Sequence, residues 1–256
     1  MAPFRFPQGI QCIVLAGGLG TRMRPMTETV PKVLLTVLDR PFLAWQLDLL
    51  FRTGVGSVVL SVGYKGEMVQ EFLDDHGPFP GPVELVFDGD ELLGTGGAIR
   101  RALDLGALGD RFLVTYGDSY LPIDFGDVWK TFERSGKPAL MSVFENAGHW
   151  DTSNVDYGEG VVRLYDKKRT NPPPGGFRFI DYGLSALDAK IVREFWPSGA
   201  KGDLAEMFNA TSLRGDLAGY EAPERFYEIG SPQGLRDLEG YLGGRVLSSA
   251  PHGPTS

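Results

Sequence analysis

From Leu15 to Pro25 the chain reads Leu-Ala-Gly-Gly-Leu-Gly-Thr-Arg-Met-Arg-Pro, three glycines followed by Arg22 and Arg24. Glycines let backbone N–H groups come close to an anion, and guanidinium groups take up phosphate oxygens in pairs. The segment has the make-up of a polyphosphate cradle. It is not a Walker loop, because no Gly-Lys-Ser/Thr follows at the required spacing, and it is a poor dinucleotide fingerprint, because Met23 stands where the third glycine belongs. A turn that only reverses the chain would also use glycines, but it would not need the two arginines or the cation of Pro31-Lys32 downstream. Gly117-Asp118 ends another apolar run and sets a carboxylate beside it.

These residues must be held by something rigid, and the pattern around them is that of alternating strands and helices. Ile10 to Ala16 is a short branched apolar run, read as a strand buried on both faces. Helical spacing over Phe42 to Phe51 is followed by a strand at Ser57 to Val62, a helix at Gly66 to Leu73 and a strand at Val83 to Phe87. A helix at Gly97 to Leu105 and a strand at Arg111 to Tyr116 complete the first half. Such alternation implies parallel crossovers and a doubly wound α/β sheet, in which ligands bind beyond the carboxyl ends of the strands. Gly17 to Arg24 and Gly117 to Tyr120 lie at such ends. After Ala139 the pattern loosens into strands at Ala139 to Phe144, Gly160 to Tyr165 and Phe177 to Ser185. The polar Asn146 to Asp156 stretch and the Pro172-Pro173-Pro174-Gly175-Gly176 run fall between them, the latter confined to a surface loop. Helices at Leu187 to Phe195, Asp203 to Leu213 and Pro232 to Leu242 and a strand at Arg225 to Ile229 follow, with 244–256 as a mobile tail.

Composition narrows the function classes. With 25 Lys and Arg against 33 Asp and Glu, the net charge is −8, which argues against nucleic acid while leaving room for a small polyphosphate in a local basic pocket. Hydrophobic residues make up 42% and charged residues 23%, enough for a full core without covalent staples. Cys12 is the single cysteine, so neither an intramolecular disulfide nor a thiolate zinc cluster is available, and its apolar run marks it as core. No stretch reaches the length of a spanning helix and the start lacks an apolar signal region, so we expect a cytoplasmic protein without membrane partners. His76, His149 and His252 are scattered singly and read as surface residues, whereas Trp45 and Phe112 read as core.

Leu15 to Pro25, Val30-Pro31-Lys32-Val33-Leu34-Leu35 and Arg40-Pro41-Phe42, taken in order, resemble the sugar-1-phosphate nucleotidyltransferase family. The resemblance continues through Leu93-Gly94-Thr95-Gly96-Gly97-Ala98, Tyr116-Gly117-Asp118-Ser119, Asp166-Lys167, Asp181-Tyr182-Gly183-Leu184 and Tyr227-Glu228-Ile229-Gly230-Ser231-Pro232, covering residues 10 to 243. It implies a Rossmann-like doubly wound, mostly parallel sheet with a smaller β-rich sugar-binding portion in the second half. One domain over 1–243 would divide into a nucleotide-binding half, about 10–138, and a sugar-binding half, about 139–243. It also implies magnesium, and transfer of a nucleoside monophosphate from a nucleoside triphosphate to a sugar 1-phosphate; a homo-oligomer is allowed.

By this resemblance Arg22 and Lys32 contact the triphosphate, and Asp118 and Glu228 hold the magnesium. Leu15, Ala16, Gly17, Gly18, Gly20, Thr21, Glu91, Gly94 and Thr95 would bind the nucleotide, and Gly96, Asn154, Lys167, Asp181 and Gly183 the sugar phosphate. Lys168 beside Lys167 leaves that register open. Glu228 departs from the family's more usual aspartate in Trp-x-Asp-x-Gly-Thr-Pro. Asp90-Glu91-Leu92-Leu93-Gly94-Thr95-Gly96-Gly97 and Leu60 to Glu67 are similar to the guanylyltransferases for mannose and heptose 1-phosphates, which favours GTP; cytidylyl, uridylyl or thymidylyl transfer is the alternative. A nucleotide-sugar-binding regulatory subunit without chemistry is the alternative of another class, disfavoured by the intact Arg22, Lys32 and Asp118. Asp88-Gly89-Asp90 has the Asp-x-Asp spacing of a retaining glycosyltransferase, but it precedes the Gly-Thr-Gly-Gly segment instead of closing a core strand with a metal-site turn.

Overall fold

The computed structural model describes residues 9–89, 91–146, 148 and 150–249. In chain order the elements are β1 (Ile10–Leu15), β2 (Thr36–Val37), β3 (Arg40–Pro41), α1 (Phe42–Arg52), β4 (Val55–Val62), α2 (Gly66–His76), β5 (Val83–Phe87), α3 (Gly94–Asp104) and β6 (Arg111–Tyr116). Then come β7 (Ser119–Tyr120), α4 (Phe125–Ser135), β8 (Ala139–Glu145), β9 (Val155–Gly158), β10 (Val161–Tyr165) and β11 (Phe179–Asp188). The chain continues with α5 (Ala189–Phe195), α6 (Leu204–Leu213), β12 (Leu217–Glu221), β13 (Tyr227–Glu228) and α7 (Pro232–Ser249).

One nine-stranded sheet, ordered β5-β4-β1-β6-β11-β8-β12-β10-β9, runs through both halves of the chain. β5, β4, β1 and β6 pair in parallel, so their carboxyl ends open on the same edge, where the strand-to-helix loops gather. β11 is antiparallel to both β6 and β8 and joins the second half to the first. Alternation along β1 shows why the sheet must be covered twice. Ile13 faces one core with Ile99 of α3, Val192 of α5 and Phe208 of α6, while Cys12 and Val14 face the other with Leu47 of α1, Phe72 of α2 and Phe132 of α4. The doubly wound α/β expectation holds, and Cys12 and Phe112 are fully buried. A third core joins Met23 of the glycine loop, Phe42 and Leu49 of α1, Ile229, and Leu238 and Leu242 of α7.

Some expectations need correction. Phe125, Val128 and Phe132 form the buried face of α4, with Asp124 capping its start, where we read no helix. β9 and β12 are likewise unread. β11 runs on to Asp188, which caps α5 through its side chain, so the helix read from Leu187 begins at Ala189. The strand read over Arg225 to Ile229 is only the two-residue β13, and α3 starts at Gly94 rather than Gly97. α7 continues to Ser249, so 244–249 are helical where we expect a tail; Arg245 stacks on Tyr241 and pairs with Glu224 at 3.7 Å, extending the helix's docking beyond Leu242. Residues 250–256, with His252, lie outside the described residues, as do His149 and Asp90. Among the described residues no helix is long and apolar enough to cross a membrane.

Candidate active site

The ends of β1, β4, β5 and β6 enclose a cavity of about 270 Å³. Leu15, Ala16, Gly17 and Gly18 form one wall, Gly94, Thr95 and Ala98 of α3 another, and Lys32, Tyr116, Gly117 and Asp118 a third. Glycine is required at two of these places by close packing. A side chain at Gly17 would run into the Asp88 carboxylate, and one at Gly117 would lie 2.8 Å from Val33 and 2.9 Å from Ala16. Gly20, with φ 60°, turns the loop in the left-handed region, and its carbonyl accepts from the Thr27 hydroxyl at 2.8 Å.

A neighbouring recess of about 200 Å³ is lined by Gly20, Thr21, Arg22, Met23, Lys32 and Gly230. Lys32 thus belongs to the walls of both spaces. Its ammonium lies 2.5 Å from Asp118 Oδ2, each side chain less than one-fifth exposed. Gln46, 2% exposed, donates from Nε2 to the Tyr116 carbonyl at 2.8 Å and the Ser119 carbonyl at 2.9 Å, fixing the turn that presents Asp118. Neither Gln46 nor the buried Ser61 of the cavity wall stands out in the sequence as a site residue, and Asp88 does so only through its Asp-x-Asp spacing.

Glu228 comes to Asp118 through a two-stranded ribbon. β13 pairs antiparallel with β7, Glu228 opposite Ser119, and the Ile229 N–H donates to the Asp118 carbonyl at 2.9 Å. Crowding by surrounding protein pushes the Glu228 carboxyl up to about 7; the like charge of Asp118 adds to this, and Arg22 and Lys32 oppose it. Two neighbouring carboxylates with hard oxygens, one of them destabilised as an anion, fit a small divalent cation such as magnesium. Among the described residues no cluster of three or more His, Cys, Asp and Glu exists, so phosphates and water would complete its shell.

On the other side of Tyr116 lies a second polar group. A bulge between Asp181 and Ser185 lifts this part of β11 out of its pairing with β8, and Gly183, φ 97°, packs against Tyr116. Asp181 Oδ1 accepts from the Gly183 N–H at 3.0 Å; burial pushes the carboxyl up to about 6, against that hydrogen bond and the charge of Lys167. Lys167 donates to Asp203 Oδ2 at 2.7 Å, and the Thr95 hydroxyl donates to Asp203 Oδ1 at 3.2 Å. Asn154 Oδ1 accepts from the Asp181 N–H at 3.1 Å, a scaffolding contact. Of the adjacent lysines, Lys167 is the one engaged here.

Two residues fall elsewhere than expected. Glu91 is outside the cavity wall and pairs with Lys201 at 2.7 Å on the surface. Gly96 is buried under the Trp196 ring, and its N–H is committed to the Gly202 carbonyl at 2.9 Å, so it has no free donor for a sugar. Trp45 is partly buried and packs on the third core, its indole N–H held by the Val37 carbonyl, and His76 is on the surface.

The nucleotidyl transferase family model matches residues 11–169, more than half of the chain and all of the cavity wall. The chain belongs to the sugar-1-phosphate nucleotidyltransferase family. This enzyme is 34% identical to D-glycero-alpha-D-manno-heptose 1-phosphate guanylyltransferase of Campylobacter jejuni, over 62% of the chain and 69% of that protein. It is also 34% identical to N-acetylmuramate alpha-1-phosphate uridylyltransferase of Neisseria meningitidis, over 91% of the chain and 99% of that protein. Among solved structures, HddC from Yersinia pseudotuberculosis superposes with a TM-score of 0.72 at 25% identity, covering 91% of the chain and 99% of HddC.

Proposed function

We propose that the enzyme transfers a nucleoside monophosphate, GMP by preference, from its triphosphate to a heptose or hexose 1-phosphate, releasing pyrophosphate. The observation that carries this is Lys32, a wall of both the strand-end cavity and the Arg22 recess and a partner of Asp118. A nucleoside lying in the cavity would extend its phosphates past Lys32 into the recess, and a sugar phosphate held by Lys167, Asp181, Asn154 and Gly183 would approach from the Tyr116 side. A sugar phosphate has a second pKa near 6, so at neutral pH the nucleophile is already ionised and needs no general base. The obstacle is repulsion between two polyanions. Arg22 and Lys32 would neutralise the triphosphate and the backbone of Gly17, Gly18, Gly20 and Thr21 would orient it, so that attack is in line with the departing pyrophosphate. Asp118 and Glu228 would hold magnesium, which when bound supplies further charge neutralisation on the phosphates.

The guanylyltransferase relative supports GTP and the uridylyltransferase relative supports UTP as the second reading. Pyrophosphate release, measured with magnesium across GTP, CTP, UTP, dTTP and ATP against a mixture of mannose, glucose and heptose 1-phosphates, tests the proposal. We expect release with GTP, and Asp118→Asn should lower it at least about 10²-fold with the fold intact, the scale of losing one preorganised electrostatic element. Release unaffected by Asp118→Asn would overturn the metal assignment.

A further inference from the structure

The same strand ends that carry Asp118 carry a second carboxylate whose chemistry the transfer reaction does not use. Asp88 follows β5 and is only 7% exposed, yet it forms part of the cavity wall together with Ser61 of β4. Its backbone N–H donates to the Val62 carbonyl at 2.8 Å, and its Oδ1 accepts from the Ser61 hydroxyl at 2.8 Å, so both backbone and side chain are fixed. Oδ2 has no hydrogen-bond donor among the described residues and lies against Gly17 and Gly63, where any larger residue at 17 would displace it. The nearby Arg101 donates through Nε to the Phe87 carbonyl at 2.6 Å and makes no ion pair with Asp88, though its charge favours the ionised carboxyl. An immobilised acceptor that opens on a cavity wall with one oxygen unused is available to a ligand that supplies the donor.

Its location says which part of a ligand that would be. In the sheet order β5-β4-β1-β6, Asp88 and Asp118 sit at strands separated by three steps, roughly 14 Å at the usual interstrand spacing. Lys32 and the Arg22 recess are on the Asp118 side, so the phosphates belong there, and the heterocycle belongs at the opposite end, where Leu92 and Ala98 add apolar surface. Resting on the proposed nucleotidyl transfer, we propose that Asp88, held by Ser61, reads the base of the triphosphate and selects guanine. Guanine alone among the five common bases offers two adjacent donors on one edge, N1–H and the 2-amino group, to a group that can only accept. Uracil and thymine offer one N–H between two carbonyl oxygens, which face the carboxylate lone pair to lone pair; adenine and cytosine set a ring acceptor beside their amino group. Such a mismatch discriminates by repulsion as well as by lost attraction.

The assignment makes a reciprocal demand. Xanthine carries a carbonyl where guanine carries the 2-amino group, and an asparagine at 88 carries a donor where aspartate has an acceptor. Binding of GTP, ITP, xanthosine triphosphate, UTP, CTP and ATP is measured by calorimetry, without sugar phosphate, on the wild type and on Asp88→Asn, with circular dichroism to show that both are folded. The wild type should bind GTP about 10- to 100-fold more tightly than xanthosine triphosphate, the range set by one charged hydrogen bond, with ITP between them. In Asp88→Asn that order should reverse, a gain that a merely structural role for Asp88 would not produce. Tighter wild-type binding of any other common nucleotide than GTP, or a GTP to xanthosine triphosphate ratio unmoved by Asp88→Asn, would overturn the assignment. Should Asp88→Asn fail to fold, the wild type decides alone: equal affinity for GTP and xanthosine triphosphate overturns it. Because the readout is binding, a protein that selects GTP but transfers to no sugar 1-phosphate would refute the transfer reaction and leave the base reading standing.

Discussion

Asp181→Asn should make the enzyme more stable and a worse catalyst, and the stability gain should depend on pH. Burial moves the Asp181 carboxyl from its ordinary 3.8 to about 6. At about 1.36 kcal/mol per pH unit, ionising it in the folded chain costs about 3 kcal/mol more than in the unfolded one. Because the folded value lies above the unfolded value, the stability that the neutral acid contributes is fully present below pH 4 and is lost as pH rises through 6. An amide of the same shape never ionises and can keep the hydrogen bond from the Gly183 N–H, but it must itself be desolvated, so about half of the 3 kcal/mol should be recovered. At roughly 2–4 °C per kcal/mol for a chain of this size, Asp181→Asn should melt about 3–6 °C higher than wild type at pH 8. At pH 4 the folded acid is neutral, so the amide's desolvation cost remains with little ionisation cost to offset it, and Asp181→Asn should melt about 2–4 °C lower than wild type. Differential scanning calorimetry without ligands measures both values, and steady-state kinetics on the same preparations should give a KM for sugar 1-phosphate raised about tenfold or more, the cost of losing a charged acceptor for a hydroxyl. A melting difference that is the same at both pH values would refute the claim that Asp181 is ionised against its surroundings. An unchanged KM would remove it from the sugar site.

The other expectations concern neighbouring residues. Arg22→Ala should lower kcat/KM by at least about 10²-fold while moving the melting temperature by less than about 2 °C, because Arg22 lines the recess and contributes no core surface; a large melting shift with normal turnover would reverse that reading. Lys167→Met should raise the KM for the sugar phosphate with little change in that for the nucleotide, and Lys168→Met should change neither; kinetics with one substrate varied at a time separates them. Gly96→Ala should cost about 1–3 kcal/mol of stability, since the added carbon would meet the buried Trp196 ring, with the KM for sugar phosphate unchanged in the folded fraction. A raised KM at normal stability would restore Gly96 to the sugar site.

The first half of the chain is legible because its strands are largely apolar and bounded by glycine or polar turns, so β1, β4, β5 and β6 are found within two residues of their ends. α4 was legible and overlooked: Phe125, Val128, Trp129 and Phe132 stand at helical spacing behind the cap at Asp124. β9 and β12 were harder. Each is short and contains a glycine, and Gly219 is where it is because the Tyr157 ring of β9 leaves no room for a side chain. The site divides in the same way. Arg22, Lys32 and Asp118 lie in local patterns whose chemistry can be read in the chain itself. Ser61, Gln46 and Asp203 act through partners 27 to 108 residues away, and no spacing rule reaches them, while the Asp-x-Asp spacing that picks out Asp88 points to a different chemistry. Glu91 and Gly96 belong to a recognisable segment, but a motif does not state which of its members face the ligand.

The ribbon of β7 and β13 has a consequence for the order in which the enzyme is built. Arg22, Lys32, Asp88 and Asp118 all emerge in the first 118 residues, and the strands that carry the cavity are complete by Tyr116. Glu228 arrives more than a hundred residues later, fastened by the Ile229 N–H to the Asp118 carbonyl and backed by Leu238 and Leu242 of α7. A partly synthesised chain that has folded its parallel strands would therefore hold Asp118, one of the two carboxylates proposed for the metal, and would lack the other until the final helix docks. Folding that proceeds from the N-terminus makes the last segment of the chain a licence for chemistry, and any cleavage or mutation that unseats α7 should silence transfer and also loosen the glycine loop, whose Met23 shares a core with Leu238 and Leu242.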